Sequence, residues 1–228
     1  MHLSSFINIP PIVPVMTLPE MVLFPQTTAP LFIFEERYRQ MLADTLDADR
    51  LFAIATARAQ AADPENDLEP FHPIGCVGLI RNCQRNPDGT SLLALQGVAR
   101  VRILGVESEE PYRRIRIEVL ESIPCSVPEG ESPCHQLLAL LEKVQESSQS
   151  LHPQLMQFLR GLEDPETLVD LAADCAVQDP RARLRLLSEA AVPTRMKYLC
   201  QLLRRKVSDL EMGRSLRGDL SDEQVEGN

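Results

Sequence analysis

The chain has 228 residues, with 33 acidic side chains against 23 basic and 44% hydrophobic residues. That length fits one large domain or two small ones, and buries enough surface to fold without a disulfide or metal staple. A net charge of −10 argues against a protein that tracks a phosphate backbone, which needs a basic face to release counterions. Residues 1–34 carry a single charge, Glu20, but six prolines from Pro10 to Pro30 exclude a spanning helix there. There is no basic leader and no small-residue cleavage site, so the expectation is a cytoplasmic protein with no membrane segment. Six widely spaced cysteines with no CxxC read as buried thiols of a reducing compartment.

The hydrophobic period changes near residue 125. Ile12 to Leu18 and Ala29 to Phe34 read as strands bounded by proline-bearing loops. Glu35 to Leu46 reads as a helix, with Tyr38, Met41, Leu42, Thr45 and Leu46 on one face of a 3.6-residue period. Leu51 to Ala57 is a further strand, and Ala59 to Pro70 a polar, acidic loop. Gly75 to Gln84 and Thr90 to Gln96 form a hairpin, because Asn86-Pro87-Asp88-Gly89 supplies the positive φ a reversal needs. Val98 to Val106 and Tyr112 to Leu120 complete a largely antiparallel set.

After residue 125 the apolar positions fall at helical spacing. Leu137, Leu138, Leu141 and Val144 mark one helix. Asp164-Pro165 and Asp179-Pro180 are aspartate N-caps with proline at N1, and Pro193 opens a last helix carrying Met196, Leu199, Cys200, Leu203, Val207 and Leu210. The expected organisation is a β-domain over 1–124, a helical bundle over 125–212 and an acidic, frayed tail over 213–228.

No catalytic constellation assembles in this sequence. None of its three lysines, Lys143, Lys197 and Lys206, follows a glycine as a phosphate-binding loop requires. Gly75-Cys76-Val77-Gly78 lacks the third glycine of a dinucleotide fingerprint and reads as close packing or a bulge. Cys134-His135, with Cys125 nine residues earlier, reads as a helix start with a buried thiol and not as zinc ligands. His72 and His152 precede prolines, and His2 lies in the terminal arm. Ser147, Ser148 and Ser150 form a polar segment between helices. The pairs Glu35-Glu36 and Glu109-Glu110 are sequence neighbours that diverge from any common site. Arg100 and Arg102, two apart on one strand, together with Arg113, Arg114 and Arg116 suggest either a basic stripe or a sheet face paired with Glu107, Glu109 and Glu118. The second is favoured. No catalytic, cofactor or metal residue is therefore assigned, and the peptide-binding residues are left open.

The run Leu18-Pro19-Glu20-Met21-Val22-Leu23-Phe24-Pro25, followed by Ala29-Pro30-Leu31-Phe32-Ile33-Phe34-Glu35-Glu36-Arg37-Tyr38-Arg39-Gln40-Met41-Leu42, resembles the entry motif of the Lon protease N-terminal domain family. Gly75, Val77, Gly78, Asp88, Gly89, Gly97 and Arg100 fit the family's hairpin pattern, and 164–174 and 183–210 are similar to its helices. The resemblance spans roughly 12–211 and implies an α+β fold, a PUA-like β pseudobarrel with an embedded helix followed by a helical bundle. It further implies a bacterial protein of the stand-alone form, without ATPase or protease domains, and hence no enzyme. The function implied is a non-catalytic polypeptide-binding or adaptor module, possible in protein quality control, whose partners are polypeptide substrates or a partner protein. A sheet edge or apolar groove with an exposed apolar patch would be its mark. PUA-like folds also recognise RNA, which makes nucleic-acid binding the alternative; neither half of the chain is basic. Phe24, Leu31, Ile33 and Phe34 read as fold residues. Tyr198, Leu202 and Leu210 extend the apolar surface of the last helix and offer a face for a homo-oligomer.

Overall fold

The computed structural model describes residues 7–58, 70–124, 133–148 and 151–218, with side chains to residue 213. The acidic loop expected at 59–70 lies outside the described residues except Pro70, as do His2, Cys125 and Ser150. The chain divides into two compact units, Met1–Ile123 with Gln178–Ala190, and Pro124–Val177 with Ala191–Asn228.

The first unit contains β1 (Ile12–Leu18), β2 (Thr28–Ile33), α1 (Glu36–Asp47), β3 (Leu51–Ala57), β4 (Phe71–Arg85), β5 (Ser91–Ser108) and β6 (Arg114–Val119). Strand order is β2-β5-β4-β3-β1-β6, and β6 also pairs with β5, so five strands close on themselves while β2 flanks β5. All pairings are antiparallel except β1 with β3. The alternation of apolar residues sets the interior: Val13 and Val15, Leu51, Ala53 and Ala55, Val77, Val101 and Ile103, and Ile115 and Ile117 fill the closed ring. One strand, β5, covers the two expected at Thr90–Gln96 and Val98–Val106. Its long run serves two neighbours in succession, β2 along 91–96 and β6 along 101–108.

Two glycines permit close backbone approaches in this unit. A Cβ on Gly75 would stand 2.6 Å from the Ile54 carbonyl oxygen, and one on Gly97 would overlap the Phe24 carbonyl. The hairpin turn forms as expected: Gly89 has φ 84°, and Asp88 Oδ1 accepts from the Thr90 N–H at 2.9 Å. α1 buries Tyr38, Met41, Leu42 and Thr45, the face its spacing predicts.

α5 (Pro180–Ser188), grouped by sequence position with the helices of 125–212, is part of this first unit. The physical reason is polar. Arg100 Nε donates to the Leu187 carbonyl at 3.1 Å, satisfying an orphan acceptor at the end of α5. Arg183 Nη2 donates to the Val22 carbonyl at 2.9 Å, with its guanidinium 5.2 Å from the Phe24 ring centre.

The second unit holds α2 (Pro133–Ser148), α3 (Pro153–Arg160), α4 (Pro165–Ala176) and α6 (Val192–Gly218). Asp164 caps α4 by accepting from Thr167 N–H at 2.8 Å, and Asp179 caps α5 from Ala182 N–H at 2.9 Å. α3 is a helix that the sequence reading does not separate; its N-cap is His152, whose Nδ1 accepts from Gln154 N–H at 3.3 Å. α6 continues to Gly218, into the segment expected to fray. Met212 through Gly218 contain no proline and only isolated glycines, which a helix accommodates at a cost of about 1 kcal/mol each.

Candidate functional site

Among the described residues β2 is an edge strand, and its residues alternate sharply. Leu31 and Ile33 are buried, whereas Thr28, Pro30 and Phe32 are exposed. Phe32 lies opposite Leu92 of β5, which lies opposite Gln84 of β4. Pro30 is paired in the same way with Ala94 and Asn82. Exposed positions of a sheet favour polar side chains, yet Phe32 is 56% exposed, Phe34 60% and Leu92 50%. The Phe32 and Phe34 rings stack at 6.0 Å between centroids, 25° from parallel. Single exposed apolar residues are ordinary, but adjoining aromatic and aliphatic side chains on one face mark a surface that interacts. Phe34, read from the sequence as a fold residue, belongs to this surface.

A second feature of the same unit is an open cavity of about 750 Å³ lined by Glu20, Thr56, Arg58, His72, Asp179 and Arg181, among others. His72 has its pKa lowered, first by burial and then by the charge of Arg58. Asp179 is already engaged as the α5 cap. The cavity brings two carboxylates and two guanidinium groups together, with no serine or cysteine among the described residues of its lining.

The arginines named from sequence separate. Arg100 is 2% exposed and serves α5, so it forms no surface stripe with Arg102. Arg102 pairs with Glu118 at 3.4 Å, Arg113 with Glu109 at 2.8 Å, and Arg116 with Glu107. These are the carboxylates expected for a solvated sheet face. Glu35 and Glu36 go to Arg37 and Arg39 at 2.9 and 3.1 Å. Gly78 packs against Leu95, and Gly75 and Gly78 lie within the β4 ladder. Cys134 and His135 lie in the first turn of α2, and among the described residues no three His, Cys, Asp or Glu side chains are grouped to hold a metal ion. Ser148 Oγ donates to the Val144 carbonyl at 2.8 Å within α2, where the sequence suggested an inter-helix segment. Tyr198, Leu202 and Leu210 are half-buried. Among the described residues no helix is long and apolar enough to cross a membrane.

Among the described residues a closed barrel is flanked by an edge strand that carries an outward apolar face. The chain belongs to the ATP-dependent protease La (LON) substrate-binding domain family, whose model matches residues 12–205. It is 26% identical over 222 residues to a Lon protease of Dictyoglomus thermophilum, covering 97% of this chain and 28% of that protein. It is 28% identical over 210 residues to Lon protease 2 of Herpetosiphon aurantiacus, covering 92% and 26%. The chain thus spans about a quarter of the length of these curated relatives. Its fold is similar to that of a Lon N-terminal domain protein from Xanthomonas campestris, with a TM-score of 0.61 and 20% identity over 85% of this chain and 97% of that one. The N-terminal domain of Mycobacterium avium complex Lon protease gives 0.60 and 18%, over 87% and 98%.

Proposed function

We propose that this chain binds polypeptide segments without cleaving them, as a substrate-binding or adaptor module in cytoplasmic protein quality control. The observation that carries the reading is the exposed face of Phe32, Phe34 and Leu92. Membership of a substrate-binding domain family supports the same direction. Fold alone does not determine function, so the weight rests on the face.

The face predicts weak binding. Fully burying a large apolar side chain is worth about 1.5–3 kcal/mol, and these three begin roughly half covered. Covering them contributes on the order of 2–4 kcal/mol, so the face alone holds a single segment only at about 1–30 mM. That suits a module that samples many chains and holds none for long.

Nucleic-acid binding has less behind it. Arg102, Arg113 and Arg116 are engaged by carboxylates, and an RNA-binding surface needs free cations beside stacking aromatics.

The test is titration of a permanently unfolded, reduced and carboxymethylated protein, followed by fluorescence anisotropy at two salt concentrations. Saturable binding that weakens about tenfold in Phe32→Ser or Leu92→Ser and resists salt is the expected result. Binding unchanged in both variants would place the interaction elsewhere and remove the proposal.

A further inference from the structure

The cavity beside α5 has three walls, and a hydrogen bond ties down each of them. Thr56 Oγ1 donates to the Met21 carbonyl at 2.6 Å, which fixes the loop carrying Glu20 against β3. Arg58 N–H donates to the Pro70 carbonyl at 2.7 Å, which holds the end of β3 against the entry to β4 and His72. Arg183 Nη2 donates to the Val22 carbonyl and Asp179 caps the first turn of α5, so Arg181 stands on an anchored helix end. The space between these walls is about 750 Å³, within the range of roughly 300–1,000 Å³ typical of small-molecule sites.

The charges of the lining are not equally available to a ligand. Asp179 Oδ2 already accepts from the Ala182 N–H, so that carboxylate belongs to the helix. Among the described residues neither Arg58 nor Arg181 takes part in an ion pair, whereas Arg102, Arg113 and Arg116 each hold a carboxylate. A guanidinium presents a planar fork of N–H donors that matches the oxygens of phosphate and carboxylate. Burial first, and the Arg58 charge second, lower the pKa of His72, so its ring is neutral near pH 7 and keeps one N–H to donate. Ala57, Pro180 and Leu184 add an apolar portion that a bare inorganic ion would leave uncovered.

We propose that this cavity binds a small organic anion bearing phosphoryl or carboxylate groups, held between Arg58 after β3 and Arg181 of α5. His72 donates a hydrogen bond to the charged group, and Ala57, Pro180 and Leu184 cover the organic body. Glu20 is left as an acceptor for a hydroxyl or amino group on the same molecule. Arg58 belongs to the strands and Arg181 to α5, so the bound anion ties the helix to the barrel. It thereby adds to the bonds that Arg100 and Arg183 already make. The site shares no residue with the face of Phe32, Phe34 and Leu92, and needs no polypeptide.

The test is calorimetric titration of the full chain with phenyl phosphate, with phthalate, and with benzyl alcohol as a neutral body of similar size. Saturation by at least one anion with a Kd below about 1 mM, and no binding of the alcohol, is the expected result. Phenyl phosphate alone would identify a phosphoryl ligand, and phthalate alone a dicarboxylate. Arg58→Gln and Arg181→Gln, both at exposed positions, should each weaken binding about tenfold while keeping the wild-type circular dichroism. Arg85→Gln, which removes an exposed charge at the far end of β4, should leave it unchanged. Saturating anion should also slow amide exchange across 180–188 in the wild type. No saturation by either anion at about 10 mM, equal weakening in Arg85→Gln, or saturation without slowed exchange in α5 would overturn the assignment.

Discussion

Arg195 and Asp170 form a buried ion pair inside the helical unit, with Arg195 Nη1 donating to Asp170 Oδ1 at 2.7 Å and both residues 1% exposed. Glu166 accepts from Arg195 Nη2 at 3.0 Å, so α4 supplies both carboxylates to one guanidinium on α6. Such a pair repays its desolvation only with good geometry, and losing one partner strands the other charge in the interior. Asp170→Ala is predicted to destabilise the protein by about 3–5 kcal/mol. Replacing the pair together, Asp170→Leu with Arg195→Met, should recover most of that loss. Urea unfolding followed by helical circular dichroism checks both, and a double variant as unstable as the single one would refute the ion-pair account.

Arg100 fixes α5 to the barrel through the Leu187 carbonyl. Arg100→Ala removes a charged hydrogen bond worth about 1.5–3 kcal/mol from a buried acceptor. Amide hydrogen exchange should rise in 181–190 and change little in β3. Uniformly unchanged exchange would mean that α5 is held by its apolar contacts alone.

Gly97 and Gly105 make a matched pair on β5. A Cβ on Gly97 collides with the Phe24 backbone, whereas one on Gly105 meets nothing within 4 Å. Gly97→Ala should cost about 3 kcal/mol or prevent folding, the range of overpacked interiors, and Gly105→Ala should leave the melting temperature within a degree or two, roughly.

Tyr112 donates to Asp44 Oδ2 at 2.9 Å. Its pKa is raised above the usual 10.0 by burial, then by that hydrogen bond and by the Asp44 charge. Below pH 10.0 both folded and unfolded chains keep the proton. As pH rises past that value the unfolded chain ionises first, so stability falls with pH until the folded tyrosine also titrates. Tyrosinate absorbance should show Tyr112 ionising at lower pH in Asp44→Asn. No change there would assign the shift to burial alone.

The strands were legible because the barrel interior enforces a strict alternation, seen in Val13 and Val15 or Ile115 and Ile117. Turn chemistry located the hairpin, and Asp-Pro pairs located α4 and α5. Which unit α5 joins was not legible, since its anchors Arg100 and Val22 lie far away in sequence. The same holds for Arg195, whose position on an apolar helix face gives no sign of carboxylates on another helix. The candidate face was half visible. An aromatic at each of Phe32 and Phe34 beside buried Leu31 and Ile33 breaks the inside-outside alternation, but read singly each ring passes for core.

The most direct measurement is amide chemical-shift mapping of the isotope-labelled chain during titration with an unfolded apolar polypeptide. Shifts concentrated at 28–34, 81–85 and 91–96 are the result this account predicts. Shifts concentrated around the Arg58 and Arg181 cavity or on α2 and α6, with Phe32 and Leu92 silent, would contradict it.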